Sequence, residues 1–440
     1  MKLPPGTSSA TRVFTPRRIR LWGTGLLVLS WFVYVYTIAV PGLVDRIGRF
    51  KGTDYIQFYV MGSLMLDGRS DALYDADAHL QEGRRRIDPG LTLYAAHPNY
   101  PPQVALAFTP LAHLPYGWSL AVFLALMACC YGASVWMIWR RCPGLQRHGA
   151  LVGVLAAASP LFFALLRYGQ ASAVALLIWC LVLAALGRNR SFLAGLAIGC
   201  LAYKPQLGMV FAVVMIAARE WRVIAGAVTA LAAQLAIAWW ATDAPTMGRY
   251  AGQLWTLMRD PTLVQIYPSE VHSLRGFFQL LLPSHPAVTV CYLAALAVAL
   301  YLAARCWFTA APAGLRVAQL VVLTVLSSPH LLTYDLVLLT LPLLVFADWI
   351  VRHPDHAAGP AVRLLSVLMY FAPFSANLAR LVPIQLSVLV LAATAWYWDQ
   401  IISEESRHSC VPATEWGSIQ RRYIHTLAMN RNSEAITSTK

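Results

Sequence analysis

"LWGTGLLVLSWFVYVYTIAV", Leu21 to Val40, contains no charged side chain. A helix of about 20 apolar residues matches the thickness of the hydrocarbon core of a bilayer. The run is too long for the core of a signal peptide and is followed by no convincing small-x-small cleavage site. It therefore predicts a membrane anchor that is retained in the protein.

The composition of the whole chain extends this conclusion beyond the first segment. Of 440 residues, 58% are hydrophobic and only 12% are charged. The surface of a soluble domain normally requires about a quarter of the residues to be charged. Apolar runs of roughly 18 or more residues recur along the chain. The sequence therefore predicts an all-α polytopic membrane protein.

Apolar length, read against Pro, Gly and charged residues, predicts about twelve transmembrane helices. They are expected near 20–41, 117–140, 149–166, 170–187, 192–203, 205–218, 222–241, 286–305, 315–327, 332–350, 362–377 and 382–401. The segments 192–203 and 205–218 are short for a full span and flank Lys204-Pro205. Half-helices or tilted pieces are alternatives to full spans there.

Short basic loops set the predicted orientation, because Lys and Arg mark the cytoplasmic side. Arg17, Arg18 and Arg20 precede the first helix, which places the N-terminal segment 1–19 in the cytoplasm. Every further loop expected inside is also basic, through Arg140, Arg141, Arg147, Arg188, Arg190, Arg219, Arg222, Arg305, Arg316, Arg352, Arg363, Arg421 and Arg422. The membrane domain is therefore predicted at 20–401, with a cytoplasmic tail at 402–440.

Two long loops, 42–115 and 242–285, fall on the opposite, extracytoplasmic side. Arg84-Arg85-Arg86 in the first is no contradiction, since loops above about 60 residues are largely exempt from the charge rule. The aromatic stretch Tyr55 to Leu66 predicts a helix lying in the interface plane. Asn99 to Pro115 is apolar but rich in proline, which predicts a short interfacial or re-entrant helix.

Unusual polar residues collect on this extracytoplasmic side. One follows the first helix, and the others lie in turns between later helices or at the end of the second long loop. These residues are Asp54, Arg167, Gln170, Lys204, Gln206, Arg275, His330 and Asp335. Ionisable groups at membrane depth are expensive and usually functional. Their common side predicts a shared cavity.

Each of these residues also has an ordinary structural interpretation. Asp54 could be the N-cap of the helix that follows it. Arg167 and Lys204 could extend to lipid headgroups. His330 could bond a neighbouring carbonyl, and Asp335 could pair with one of the cations. These alternatives stay open at the level of sequence.

Metal and nucleic-acid chemistry find little support. The eight cysteines lie mostly in apolar segments and lack zinc-site spacing. Asp75-Ala76-Asp77 has the Asp-x-Asp form that holds a metal in some sugar-nucleotide enzymes, but with Asp71 it is typical of a solvated loop. The net charge of +14 is distributed in short clusters between apolar runs, as in cytoplasmic loops. We expect no metal, no cofactor and no nucleic acid.

Six short motifs follow one another on the extracytoplasmic side of the predicted topology. They are "TDYIQFYVMGSLMLDGRSDALYD", "YPPQVALAFTPLAHLP", "GQASAV", "LAYKPQ", "SLRGF" and "SSPHLLTYDLVLL". No single motif is specific, but their order and common side are. Together, from Asp54 to the predicted tenth helix, they resemble glycosyltransferase family 87, the polytopic enzymes of the GT-C class that take mannose from polyprenyl-phosphate mannose.

The resemblance implies a GT-C-type helix bundle in the cell membrane, a bacterial cytoplasmic membrane being expected, with an extracytoplasmic active site. It implies a polyprenyl-phosphate sugar donor and a glycolipid or glycan acceptor among the membrane lipids. The acidic residue after the first helix, expected to be the general base, matches Asp54, and the family's "PH" and "KP" motifs match Pro329-His330 and Lys204-Pro205. Where members often show Asn after Gly-Gln, this chain has Ala171-Ser172, so a contact by that residue does not carry over.

The expected roles follow from the chemistry of glycosyl transfer. A general base, here Asp54, must deprotonate the acceptor, and cations must stabilise the departing phosphate. We expect His330 to be catalytic beside Asp54, and Lys204, Arg275 and Arg167 to bind the donor phosphate. Further substrate contacts are expected from Tyr100, Gln170, Gln206, Tyr334 and Asp335.

Other functions remain compatible with the sequence. Within the enzyme interpretation, a single attack on the anomeric carbon would invert its configuration. Arabinose or another lipid-linked sugar could replace mannose as the transferred sugar. A transporter or flippase for a lipid or anionic solute would also have polytopic topology and broken helices. A non-catalytic membrane subunit that scaffolds other enzymes is a further alternative.

Overall fold

The computed structural model describes residues 16–91, 99–259 and 267–408, and these residues form α-helices and short 3-10 turns without a β-strand. The α-helices are α1 Pro16–Ile38, α2 Tyr55–Leu66, α3 Ala76–Arg86, α4 Pro102–Ala112, α5 Tyr116–Trp139, α6 Gly149–Ala157, α7 Pro160–Tyr168, α8 Ser172–Leu186, α9 Ser191–Gly199, α10 Met209–Ala217, α11 Trp221–Ala241, α12 Ala244–Arg259, α13 Leu274–Leu281, α14 His285–Trp307, α15 Ala313–Ser327, α16 Thr340–Arg352, α17 Gly359–Tyr370, α18 Ser375–Ala379 and α19 Leu386–His408.

Among the described residues, six helices are long and apolar enough to cross a membrane. They are Arg17–Ile38, Tyr116–Trp139, Trp221–Ala241, His285–Trp307, Thr333–Arg352 and Leu386–Arg407. Two bent pairs raise the number to eight if each pair is one span: Pro143–Ala157 with Pro160–Tyr168 (41°) and Gly359–Tyr370 with Ala372–Ala379 (58°). The protein is therefore an all-helical, multi-pass membrane protein.

The predicted number of twelve spans is not confirmed. The remaining four predicted segments, 170–187, 192–203, 205–218 and 315–327, do form apolar helices, but these are shorter than the length that spans a bilayer. The break between 192–203 and 205–218 is present as two 3-10 turns around Lys204. Pro205 disfavours an α conformation at Lys204, whose φ of −140° and ψ of 69° interrupt the helix.

Two of these short helices form the centre of the bundle. Nearly all residues of α8 are buried, and α15 is buried from Leu315 to its end. An apolar helix can be surrounded either by lipid or by other helices, and the burial of these two shows that protein surrounds them. Aromatic contacts join this centre to its neighbours, since Trp179 packs edge-on against Phe211 at 5.6 Å and Phe211 against Trp307 at 5.9 Å. The turns at the ends of α8 and α15 are therefore attached to the most buried part of the protein.

The first long loop is folded and packed on the bundle. Helix α2 has the predicted bounds, but protein surrounds most of it, so a position in the interface plane is not confirmed. It packs closely on α4, since a Cβ on Gly62 would lie 2.6 Å from the Phe108 carbonyl oxygen. The Phe58 and Phe108 rings stack at 4.7 Å. This packing fixes the direction in which α2 begins, at Asp54.

The second long loop and the tail contain more helix than the sequence predicts. Helices α12 and α13 lie within 242–285, for which the motifs gave no expectation. Helix α19 extends past residue 402 to His408, into the predicted tail. Residues 409–440 of that tail lie outside the described residues.

Candidate active site

Asp54 immediately precedes α2, but its side chain makes no capping hydrogen bond to the described chain. Its backbone N–H donates to the Tyr168 carbonyl at 2.9 Å, which ties the start of α2 to the end of α7. Its carboxylate Oδ2 instead accepts a hydrogen bond from Gln170 Nε2 at 2.8 Å. The carboxylate is therefore directed away from the helix end and toward the turn between α7 and α8.

Gln170 is presented to Asp54 by the way α7 ends. Gly169 adopts φ +69°, the left-handed conformation that glycine provides at a helix C-terminus. The Gln170 side chain is buried, and its Oε1 accepts from the Tyr100 hydroxyl at 3.4 Å and from the Ala171 N–H at 3.2 Å. With both ends of the amide engaged, Gln170 holds the carboxylate of Asp54 in a fixed orientation.

A buried ion pair lies beside this network. Lys204 Nζ lies 2.8 Å from Asp335 Oδ1, and both side chains are almost fully inaccessible to solvent. Lys204 also donates to the Ser172 hydroxyl at 3.2 Å, and Ser172 in turn donates to Asp335. Buried charges require such pairing, because isolated ions are costly to desolvate. Three separate chain segments thus meet at one ionic group.

Tyr334 connects the ion pair to Asp54. Lys204 Nζ lies 4.8 Å from the centre of the Tyr334 ring, a cation–π distance. Tyr334 and the charge of Lys204 both lower the pKa of the Asp54 carboxyl, and the charge of Asp335 raises it. Asp54 and the ion pair therefore belong to one polar cluster, which comprises Asp54, Tyr100, Gln170, Ser172, Lys204, Tyr334 and Asp335.

His330 and Arg275 lie at the edge of this polar cluster. The charges of Asp335, Lys204 and Arg275 all act on His330, whose buried Nδ1 has no hydrogen-bond partner in the described chain. Burial lowers the pKa of His330 to about 4, so its imidazole is neutral near pH 7. Arg275 is partly buried, and none of the described carboxylates pairs with it. Both groups retain capacity to bind an anion.

The protein environment shifts the acidity of Asp54. Burial raises the pKa of its carboxyl to about 6, although the hydrogen bond from Gln170 and the charge of Lys204 act in the opposite direction. The residue is still partly accessible. A reachable carboxylate with a pKa near the working pH is the form that general-base catalysis requires.

Two predicted site residues lie apart from the cluster. Arg167 is exposed at the end of α7 and acts on Tyr168, whose hydroxyl donates to Glu270. Gln206 is partly buried in the second 3-10 turn after Lys204. Within the described ranges, no hydrogen bond or ion pair joins either side chain to the polar cluster. Their assignment to substrate stays a prediction.

Sequence reasoning missed two residues at the site. Ser172 belongs to the pair Ala171-Ser172 that departs from the family's pattern after Gly-Gln, yet its hydroxyl contacts both charges of the ion pair. His272 is fully buried, with Nδ1 2.8 Å from the Ser387 hydroxyl and Nε2 3.0 Å from the Thr333 hydroxyl. It fixes the second long loop beside His330 and Arg275. Only the polarity of these residues within apolar surroundings could have pointed to them.

The Asp-x-Asp sequence of the first loop has a structural role. Asp75 is the N-cap of α3, accepting from the N–H groups of Asp77 at 2.9 Å and Ala78 at 3.2 Å. In the part of the chain that the structure describes, no group of three or more His, Cys, Asp or Glu side chains is arranged to hold a metal ion.

Comparison with known proteins covers part of the site, since Asp54, Tyr334 and Asp335 lie outside the matched residues. The model of glycosyltransferase family 87 matches residues 99–329, which include Tyr100, Gln170, Lys204 and Arg275, and end one residue before His330. No curated protein and no solved structure matches the chain. Because the family match covers more than half of the chain, this multi-pass membrane protein belongs to glycosyltransferase family 87 and is a glycosyltransferase.

Proposed function

We propose that the protein transfers a hexose, with mannose favoured by the motifs, from a polyprenyl-phosphate donor to a glycolipid or glycan acceptor. The reaction takes place on the extracytoplasmic face of the cell membrane, with Asp54 as general base. The observation that carries the proposal is the environment of Asp54: a partly accessible carboxylate, oriented by Gln170 at 2.8 Å, next to several cationic and neutral donors.

The proposed step is a single displacement. The acceptor hydroxyl oxygen attacks the anomeric carbon while its proton passes to Asp54. The bond between the anomeric carbon and the phosphate oxygen breaks, and its electron pair leaves with the polyprenyl phosphate. Attack from the opposite face inverts the anomeric configuration. Donors aimed at the charge that develops on the phosphate are the most effective contribution a protein can make here.

The cations are unequal in this role. Lys204 is already neutralised by Asp335 at 2.8 Å, so it offers little net charge to the phosphate. Arg275 has no such partner among the described carboxylates, and a guanidinium can bind phosphate with two parallel hydrogen bonds. Neutral His330 can add one N–H donor. We therefore assign the phosphate to Arg275 and His330, and a supporting role to Lys204. Arg167 remains a candidate for first contact with the donor.

For the membrane arrangement, we propose the GT-C-type bundle in which all twelve apolar segments lie within the bilayer. The short helices α8 and α15 support this, because protein encloses them and they need not meet lipid along a full span. The basic loops place both termini in the cytoplasm. The turns that contain Gln170 and Lys204 then lie on the same side of the membrane as Asp54. This agrees with the hydrogen bond between Gln170 and Asp54 and with the ion pair between Lys204 and Asp335.

The pH dependence of transfer follows from the pKa of Asp54. A base with a pKa of about 6 is ionised above that pH and protonated below it. We expect kcat/KM to be level above about pH 7 and to fall about tenfold per pH unit below about pH 5. Initial rates measured between pH 4.5 and 8.5 check this. A profile that rises toward acid would exclude an ionised carboxylate as the base.

Gln170 is expected to act by positioning Asp54. Its hydrogen bond lowers the pKa of the Asp54 carboxyl, so Gln170→Ala should move the acidic limb of the kcat/KM profile to higher pH. The lost orientation should also reduce kcat by about tenfold or more, with a smaller change in KM. Gln146→Ala, at an exposed helix-linking turn, is the control. An unshifted limb would show that Gln170 does not act through Asp54.

The proposed function is tested with purified protein and a panel of polyprenyl-phosphate sugars, including mannose, glucose and arabinose. We expect release of polyprenyl phosphate that depends on an acceptor and is fastest with the mannose donor. Fastest release with the arabinose donor would show that the proposed sugar is wrong, while the proposed mechanism would stand. No release with any donor, together with movement of the intact lipid between leaflets in vesicles, would favour a flippase.

A further inference from the structure

A polar cavity of about 680 Å³ lies where the two long loops meet. The first loop contributes most of its lining, and the second contributes Arg249 from α12. The side chains that define this "loop cavity" are Arg69, Asp71, Tyr74, Asp77, Gln81 and Arg249. The proposed transfer step does not use these residues, since none of them belongs to the polar cluster around Asp54.

Contacts between the loops hold the cavity open in a defined shape. Arg249 donates to the Asp71 carbonyl at 2.6 Å, and the Thr246 hydroxyl donates to the Ser70 carbonyl at 3.3 Å. The rings of Tyr74 and Tyr250 pack at 5.6 Å. On α3, Asp77 and Gln81 are four residues apart and therefore lie on one face of the helix. The loop cavity is thus formed by two segments that are far apart in sequence.

The loop cavity is joined to Asp54 by a short series of hydrogen bonds. The Tyr74 hydroxyl donates to the Tyr100 carbonyl at 3.0 Å. The Tyr100 hydroxyl donates to Gln170 Oε1 at 3.4 Å, and Gln170 donates to Asp54. Two tyrosines and one amide therefore separate the loop cavity from the proposed base. Because Asp54 itself does not line the loop cavity, a single ligand that contacts both needs more than one sugar unit.

The lining favours a neutral polyhydroxylated ligand. Asp71 and Asp77 offer carboxylate acceptors, Arg69 and Arg249 offer donors, and Gln81 offers both, as sugar hydroxyl groups require. Charges of both signs argue against a metal cation or a simple anion, and the third carboxylate, Asp75, is occupied in capping α3. Tyr74 supplies an aromatic surface for the apolar face of a sugar ring. The volume lies within the range of roughly 300–1,000 Å³ that holds small ligands.

We propose that the loop cavity binds the acceptor, and that the acceptor is an oligosaccharide whose inner sugar units lie in this cavity while its terminal hydroxyl reaches Asp54. This inference rests on the proposed function and specifies its acceptor. It makes the two long loops the determinants of acceptor length, and leaves the donor to the residues around Arg275 and His330.

Direct binding tests the inference without requiring transfer. Purified wild-type protein is titrated by calorimetry with mannose, glucose and arabinose and with the trisaccharide of each. We expect one trisaccharide to bind at least about tenfold more tightly than its monosaccharide. Asp77→Ala should remove that difference, since a hydrogen bond to a charged group is typically worth about tenfold or more in affinity, and Gln81→Ala should reduce it. Asp355→Ala, at an exposed aspartate outside the loop cavity, is the matched control.

A second measurement separates this inference from the proposed function. In the transfer assay, Asp77→Ala should raise KM for a trisaccharide acceptor about tenfold and leave KM for the matching monosaccharide and kcat unchanged. Equal binding of mono- and trisaccharide by the wild type, or loss of affinity for both in the variants, would overturn the loop cavity as an acceptor site. Absence of transfer with intact trisaccharide binding would instead overturn the proposed reaction.

Discussion

Asp54→Asn is expected to reduce sugar transfer by about 10²–10⁴-fold, the usual contribution of a general base. The amide oxygen of Asn can still accept the hydrogen bond from Gln170, so the geometry around residue 54 is retained. An amide cannot take the acceptor proton, so the chemical step alone is affected. The rate of polyprenyl phosphate release, measured with saturating donor and acceptor, checks this expectation.

The same substitution should not destabilise the protein. The folded-state pKa of Asp54 lies above that of an ordinary aspartate, so the folded state binds the proton more strongly than the unfolded state does. Stability therefore falls as pH rises from about 4 to 6, and above that range the ionised carboxylate costs on the order of 3 kcal/mol. Asn carries no such cost, and the Tm at pH 7 should stay the same or rise.

This combination distinguishes catalysis from a structural role. Asp355→Asn, at an exposed site, is the matched control and should change neither rate nor Tm. Retention of wild-type transfer by Asp54→Asn would remove Asp54 as the base. A lower Tm accompanied by lost activity would show that the carboxylate supports the fold instead.

Lys204→Met is expected to have the largest effect on stability. It leaves the Asp335 carboxylate buried with only two neutral donors, the Ser172 hydroxyl and the Leu332 N–H, and removing one member of a buried ion pair costs about 3–5 kcal/mol. The double variant Lys204→Met/Asp335→Leu removes both charges and should recover most of the loss, since apolar replacement of a buried pair is often neutral. Thermal unfolding in detergent, followed for both variants and for Asp335→Leu, checks these expectations.

The double variant also separates structure from function. If Lys204 supports the phosphate and orients Tyr334 beside Asp54, the recovered fold should still transfer sugar poorly. Arg352→Met is the control, because its side chain is exposed and Asp348, although buried, keeps the hydrogen bond from the Gly144 N–H at 2.7 Å, so the loss of stability should be smaller than for Lys204→Met. Full activity in a stable double variant would limit the ion pair to a structural role.

The sequence predicted the positions of the helices better than the number of helices that span the membrane. Apolar runs locate helices reliably because an uncharged segment of sufficient length has no other stable form in lipid. The runs at 170–187 and 315–327 were predicted to span the membrane like the longer apolar runs, yet their helices are short and enclosed by protein. Apolar composition does not distinguish a lipid-facing helix from a buried one. The folded second loop was missed because α12 is polar and lacks a long apolar run.

At the site, the sequence identified which polar residues are unusual but not how they pair. Asp54, Gln170, Lys204 and Asp335 were selected because they interrupt apolar segments on one predicted side. That Lys204 is neutralised by Asp335 depends on the packing of α8 against the 3-10 turn Thr333–Leu339. This pairing is the reason why we propose Arg275, and not Lys204, as the main ligand of the donor phosphate. Ser172 and His272 are ordinary residue types in sequence and become significant only through their partners.

A structure of the protein with a polyprenyl-phosphonate mannose, in which carbon replaces the scissile oxygen, would locate the donor relative to Asp54. We expect the phosphonate within hydrogen-bonding distance of Arg275 and His330, with the anomeric carbon open to attack from the side of Asp54. A phosphonate bound at a different site, with the sugar out of reach of the Asp54 carboxylate, would contradict this expectation.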